Sequence, residues 1–393
     1  MHDIYGVHYS RILNPGKTNS FFLFGARGTG KTTFLKSFFK NRSDILWLNL
    51  LDPEIEDRYS RLPSLLIEQI RSESKRWKWV IIDEVQKVPA LLNCVHLLIE
   101  EQGTLFALTG SSARRLKRGG ANLLAGRAFL NYLFPLTHRE LGRDFNLTQA
   151  LSWGTLPKAF QLTSTTQKAA YLRAYTLAYL KEEVWAEHLI KTLNPFRKFL
   201  EIAAQCNGEP LNFSNISRDC NTDTKTIQSY YQILEDTWAG YVLEPHHTSI
   251  RKRQKKAPKF YFFDTGICRA LCGTQQQSLV VGTPEFGRAF EHFVLLEIFR
   301  LNEYGSKDYS FSYLRTKDQA EVDLIIARPG MPVALVEIKS TDRVDERHTR
   351  GVQAFLKDFR SAEAFCLSRD PIKRKIGSVR VLPWEAGLIE LGL

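Results

Sequence analysis

Continuous apolar runs alternate with amphipathic stretches over the first third of the chain. Phe21–Phe24, Ile45–Leu51, Trp79–Ile82, Thr104–Thr109 and Ala128–Leu136 are made almost wholly of aliphatic and aromatic residues, the pattern of strands buried on both faces. Helical spacing follows Lys31 and recurs around Leu62–Ile70. Strands alternating with helices predict an α/β unit with a parallel five-stranded sheet covered on both sides. From residue 137 to 245 helical spacing dominates. Tyr171–Leu189 reads as one long amphipathic helix, and three more are predicted at Phe196–Cys206, near Asn215–Cys220 and at Asp223–Asp236, the last capped by Thr222 or Asp223. Two strand-like runs follow, Tyr241–Leu243 and Phe260–Phe263. The last third predicts a helix over Gly287–Val294 and strands over Glu321–Ile326 and Ala334–Lys339, joined by a hairpin at Arg328-Pro329-Gly330. A chain of 393 residues holds two or three domains. The pattern changes divide it at 1–136, 137–265 and 266–393.

Charge adds an expectation about partners. The net charge is +12 and the pI about 9.3, which favours an anionic partner. Basic residues cluster at Arg114–Arg118, Arg251–Lys256 and Lys373–Lys375, all in expected loops. No apolar run is long enough to span a bilayer, and Met1–Tyr5 lacks a charged-then-apolar leader pattern, so a cytoplasmic protein without a membrane partner is expected. The six cysteines are widely spaced with no C-x-x-C pair, which indicates neither a disulfide framework nor a zinc site.

The strand Phe21–Phe24 breaks into Gly25-Ala26-Arg27-Gly28-Thr29-Gly30-Lys31-Thr32, followed at once by an apolar-periodic helix. That is the sequence and context of a P-loop. Gly25, Gly28 and Gly30 let backbone N–H groups, Thr29 among them, turn inward around phosphate oxygens. The helix N-terminus, with Thr33 in its first turn, adds partial positive charge. Lys31 is then placed for the β and γ phosphates of ATP and Thr32 for Mg²⁺. The strand Trp79–Ile82 ends in two acids. Asp83 belongs beside the Mg²⁺ shell, and Glu84 is placed to polarise the attacking water. Ser111, at the tip of the next strand, is where a γ-phosphate sensor would stand, although serine is also a good helix cap.

The words Ile81-Ile-Asp-Glu-Val-Gln-Lys-Val-Pro89, Leu108-Thr-Gly-Ser-Ser-Ala113, Leu124-Ala-Gly-Arg127 and Phe134-Pro-Leu136 closely resemble a bacterial and archaeal family of AAA+-type ATPases. In that family the ATPase precedes a helical or winged-helix part and a C-terminal domain of unknown function that looks like the PD-(D/E)xK nuclease fold. The resemblance implies an oligomer, such as a hexamer, in which an arginine completes a neighbour's site. Arg127 is the first candidate, with Arg114 and Arg115 competing. It also implies that the helix trio and the strands flanking the Arg251–Lys259 run form a winged helix that grips DNA or packs between subunits. In the C-terminal domain Glu337 and Lys339 lie two apart on a strand and share a face, and Asp323 on the adjoining strand is placed to meet them. Asp323 and Glu337 would hold a second Mg²⁺ or a Mn²⁺, Lys339 would orient water, and Glu291 would add a ligand or a supporting contact. The function expected is a Mg²⁺-dependent ATPase acting on DNA by translocation, remodelling of branched DNA or ATP-licensed cleavage. A nucleotide-dependent signalling switch with a silent nuclease-like domain is the alternative, and a nuclease that its ATPase merely assembles is a further one.

Overall fold

Phe21, Phe22 and Leu23 are fully buried because their strand lies inside the sheet with neighbours on both edges. A computed structural model describes residues 9–72, 77–111, 124, 126–179, 193–246, 257–316 and 320–393. Strands β1 (Ser20–Phe24), β2 (Ile45–Asn49), β3 (Trp79–Asp83), β4 (Leu105–Gly110) and β5 (Ala128–Tyr132) form a five-stranded sheet in the order β2-β3-β4-β1-β5, every pair parallel. Alternate residues of β1 serve different cores. Phe22 and Phe24 pack with Val80, Ile82 and Leu108 on one face. Phe21 and Leu23 meet Phe34, Leu35 and Trp79 on the other. The helix Pro53–Arg61 escapes the apolar pattern because only Tyr59 is buried in it; its start is written in the Asp52 cap and Pro53 instead.

The expected single helix from Tyr171 differs in the structure. An α-helix, Thr165–Ala174, passes into a π-helical turn at Tyr175–Tyr179. The rest of that stretch lies outside the described residues, as do the basic clusters Arg114–Arg118 and Arg251–Lys256. Helices Leu193–Gln205, Phe213–Asp219 and Thr224–Asp236 follow. Asp223, the nearer of the two cap candidates, accepts from the Thr226 N–H at 2.9 Å. The antiparallel pair β6 (Gly240–Leu243) and β7 (Lys259–Phe262) completes this region.

A long helix, Pro284–Tyr304, opens the last part. Strands β8 (Ser310–Arg315), β9 (Glu321–Ala327) and β10 (Val333–Lys339) run antiparallel in turn. The helix Glu346–Leu356 then crosses over to β11 (Ala362–Ser368), parallel to β10. With β12 (Arg374–Ile376) and β13 (Val379–Pro383) the sheet order is β12-β13-β11-β10-β9-β8. Arg374, expected in a basic loop, is in β12 and ion-paired to Asp370.

These parts share buried surfaces. Ala150, Leu151 and Tyr261 join the core around Phe290, Phe293 and Trp384, while Ala26 of the P-loop joins the core of the three-helix region. Arg300 on the long helix is buried, donating to Thr155 Oγ1 at 3.1 Å and to the Phe263 carbonyl at 2.8 Å, with Glu297 beside it. Glu297 accepts from the His138 N–H at 3.0 Å. Gly154, at φ +75°, packs so closely that a Cβ there would lie 1.9 Å from Asp264 Oδ1. No helix among the described residues is long and apolar enough to cross a membrane.

Candidate functional site

The P-loop leaves β1 at Gly25, whose φ of +154° and contact with the Leu133 carbonyl, 2.2 Å from where a Cβ would stand, admit only glycine. Gly28 and Gly30 also have positive φ, and Gly30 is the residue before the helix Lys31–Phe38. Lys31 is buried and curls back on the loop, donating to the Gly25 carbonyl at 2.8 Å and the Ala26 carbonyl at 3.3 Å. The Thr29 hydroxyl closes the turn on Ala26 O at 2.9 Å, and Thr33 stands exposed in the helix's first turn.

Parallel strands carry the acids to the same end of the sheet. The Thr32 hydroxyl donates to Asp83 Oδ2 at 2.7 Å, while the other oxygen of Asp83 accepts from Thr109 Oγ1. Thr109 in turn accepts from the Glu84 N–H at 3.0 Å. Glu84 sits in the left-handed region at φ +62°, uncommon for a side chain other than glycine, and its carboxylate accepts from Gln86 Nε2. The same amide nitrogen lies 3.3 Å from the Ser111 hydroxyl. A hydroxyl and a carboxylate oxygen converging beside a P-loop are the hard ligands that Mg²⁺ takes when nucleotide phosphates supply the rest, so these residues fit Mg²⁺-nucleotide.

Sequence reading missed the supports of this site. Arg11 donates to the Thr29 carbonyl at 3.1 Å, to Glu140 at 2.9 Å and to Tyr304 Oη at 3.0 Å. The Tyr175 hydroxyl donates to the Arg27 carbonyl at 2.8 Å, and Tyr171 lies over Gly28. These partners are 18 to 293 residues apart from Arg11 or Arg27 in sequence, so no local pattern marks them. Arg127 immediately precedes β5 and is ion-paired with Glu100. Since β1 and β5 are parallel, it lies at the start of its strand, roughly 16 Å from the P-loop end. Arg114 and Arg115 lie outside the described residues.

The C-terminal candidates do come together. Val336 pairs with Leu324, so the next step along β10 sets Glu337 beside Asp323. Asp323 Oδ2 accepts from the Ile338 N–H at 2.7 Å, and Lys339 Nζ meets Glu337 Oε1 at 2.5 Å. Glu337 Oε2 is buried with no partner among the described residues. Burial, then the charge of Asp323, pushes Glu337 up to about 8 and Glu291 to about 7. Two residues of β7 were not expected here. Tyr261 donates to Glu291 Oε1 at 2.9 Å, and buried Lys259 pairs with Glu321. Burial pulls the Lys259 ammonium down, but Glu291 and Glu321 outweigh it and hold it above its ordinary value. Among the described residues no group of three or more His, Cys, Asp or Glu side chains is arranged to hold a metal. Two neighbouring carboxylates, one with an orphaned buried oxygen, still fit a Mg²⁺ that keeps most of its water.

Comparison with known proteins places these sites. Residues 17–142 match the family described as an AAA domain. Residues 144–278 and 286–386 each match a domain of unknown function, DUF8612 and DUF4143. An uncharacterized protein of Mycobacterium tuberculosis is 27% identical over 323 residues, covering 81% of this chain and 70% of its own. Uncharacterized proteins of Methanocaldococcus jannaschii and Haemophilus influenzae are 22% identical over 364 and 289 residues, covering 86% and 70% of this chain and 79% and 68% of their own. The loop around Lys31 and the acids that close on Thr32 thus lie within the stretch that matches an AAA domain, which supports a P-loop ATPase-like protein, and the C-terminal sheet domain matches a family of unknown function.

Proposed function

We propose that the chain is a Mg²⁺-dependent ATPase that works on DNA as an oligomer. The observation that carries the first half is the linked set Thr32, Asp83, Thr109 and Glu84 at the mouth of the P-loop. Lys31 and the loop amides neutralise phosphate charge, Thr32 and Asp83 would hold Mg²⁺, and Glu84 orients water toward the γ-phosphate, with Ser111 beside it. Bound Mg²⁺ supplies further charge neutralisation on the phosphates. Arg127 stands at the opposite end of the sheet from its own P-loop, so the site it would complete is a neighbouring subunit's. Glu84→Gln is expected to retain ATP binding, read with a fluorescent ATP analogue, and to lose at least about a hundredfold in turnover; a variant that still hydrolyses ATP at the parental rate overturns the reading.

The second half is supported by the helix trio followed by the β6–β7 hairpin, the order of a winged helix, and by the basic net charge. The helix–three strands–helix–strand order from Pro284 to Ser368, with Glu291, Asp323, Glu337 and Lys339 converging, supports a nuclease-like fold. We take this cluster as a phosphodiester site that Mg²⁺ or Mn²⁺ would complete. Incubation with nicked, duplex and branched DNA tests it: cleavage in Mn²⁺ that Lys339→Ala abolishes supports cutting. Binding without cleavage favours the remodelling role with a silent nuclease-like domain.

A further inference from the structure

The residue that the nucleotide chemistry does not yet use is Gln86. It lies in the tight turn Val85–Lys87 directly after β3 and is buried. Its Nε2 donates to Glu84 Oε2 and reaches Ser111 Oγ at 3.3 Å. The orientation of the amide is fixed, because turning it over would set its oxygen against the Glu84 carboxylate. Its Oε1 has no partner among the described residues, and it is pressed so close to β4 that a Cβ on Gly110 would come within 2.7 Å of it. An orphaned buried acceptor costs stability, and methionine would fill the same space without that cost. The amide is therefore poorly explained by packing and well explained by its donor side.

The backbone of Glu84 is already held by Thr109, but that bond leaves the carboxylate free to rotate about its side-chain torsions. Gln86 removes that freedom. We propose that Gln86 is a positioning residue for hydrolysis, tying the Glu84 carboxylate to the Ser111 hydroxyl so that the water-orienting group and the tip of β4 are set as one unit. This rests on the ATPase reading above. Its consequence is that loss of the Gln86 donor misplaces water in the hydrolytic step without weakening nucleotide binding.

The test compares parent, Gln86→Met and Gln86→Glu in the full chain, measuring ATP turnover, the dissociation constant of a fluorescent ATP analogue and the melting temperature. Methionine keeps the length and removes the donor; glutamate keeps the shape and replaces the donor with a charge. Both variants are expected to lose about tenfold or more in kcat, with the nucleotide dissociation constant within about twofold of the parent and the fold intact by melting. Parental kcat in Gln86→Met overturns the assignment, as does a parallel loss of binding and turnover, which marks a packing role. A parent chain that binds ATP and never turns it over is a different failure: it overturns the ATPase reading, and the assignment falls with it.

Discussion

At the residue scale Glu337 yields a prediction with a definite sign. Burial and Asp323 raise its carboxyl from an ordinary 4.5 to about 8, so the folded chain binds a proton more tightly than the unfolded one. Its contribution to stability is full below about pH 4.5 and is lost as the pH rises through 8. In chelator, therefore, the melting temperature should fall between pH 5 and 8, and Glu337→Gln should flatten that slope. Added Mn²⁺ should restore stability at pH 8 in the parent and leave Glu337→Gln unmoved. The candidate nucleotide site was legible in the sequence because its residues are local: a P-loop is eight consecutive residues and the acids at the end of β3 are adjacent, so Lys31, Thr32, Asp83 and Glu84 could be named from spacing. Thr109 and Gln86 could not, since only the sheet brings Thr109 to Asp83 and Gln86 to Ser111, and the bond from Gln86 back to nearby Glu84 follows from the shape of the turn.

At the scale of elements the five strands around the P-loop were legible from their apolar runs, while the helix Pro53–Arg61 was not, because it buries one side chain. The strands beyond β10 also went unread, and the edge strand among them, Arg374–Ile376, is three residues long and ion-paired, so it carries no strand pattern. The long helix Pro284–Tyr304 was read only over its first half. Its second half carries Glu297 and Arg300, charged residues that look solvent-facing in sequence and are buried against other parts of the chain, and half-buried Tyr304, which bonds to the Phe134 N–H. Arg300→Met should leave Glu297 Oε1 and the carbonyls of Phe263 and Leu136 without their donor, while Glu297 Oε2 keeps His138. We expect a loss of about 3 kcal/mol or more in urea unfolding. Tyr304→Phe removes the hydrogen bonds to Arg11 and to the Phe134 N–H and should cost about 1 to 3 kcal/mol in the same measurement.

At the scale of the whole molecule that helix ties the two sites together. Tyr304 at one end contacts the arginine that supports the P-loop, and Glu291, roughly 20 Å away along the axis, belongs to the carboxylate cluster. The sequence offered three units in a row and could not show that their cores interlock, because contacts such as Ala26 with the three-helix core depend on the assembled topology. An oligomer completed by Arg127 makes its own prediction: Arg127→Ala should keep nucleotide binding and lose about tenfold or more in turnover, and parental turnover per chain should rise with protein concentration. The most direct test of the account is ATP turnover by the parent and Glu84→Gln, with and without single-stranded, duplex and branched DNA. It predicts turnover raised several-fold by one form of DNA and lost in Glu84→Gln. Turnover that ignores every DNA offered would contradict it and leave a nucleotide-dependent switch as the better description.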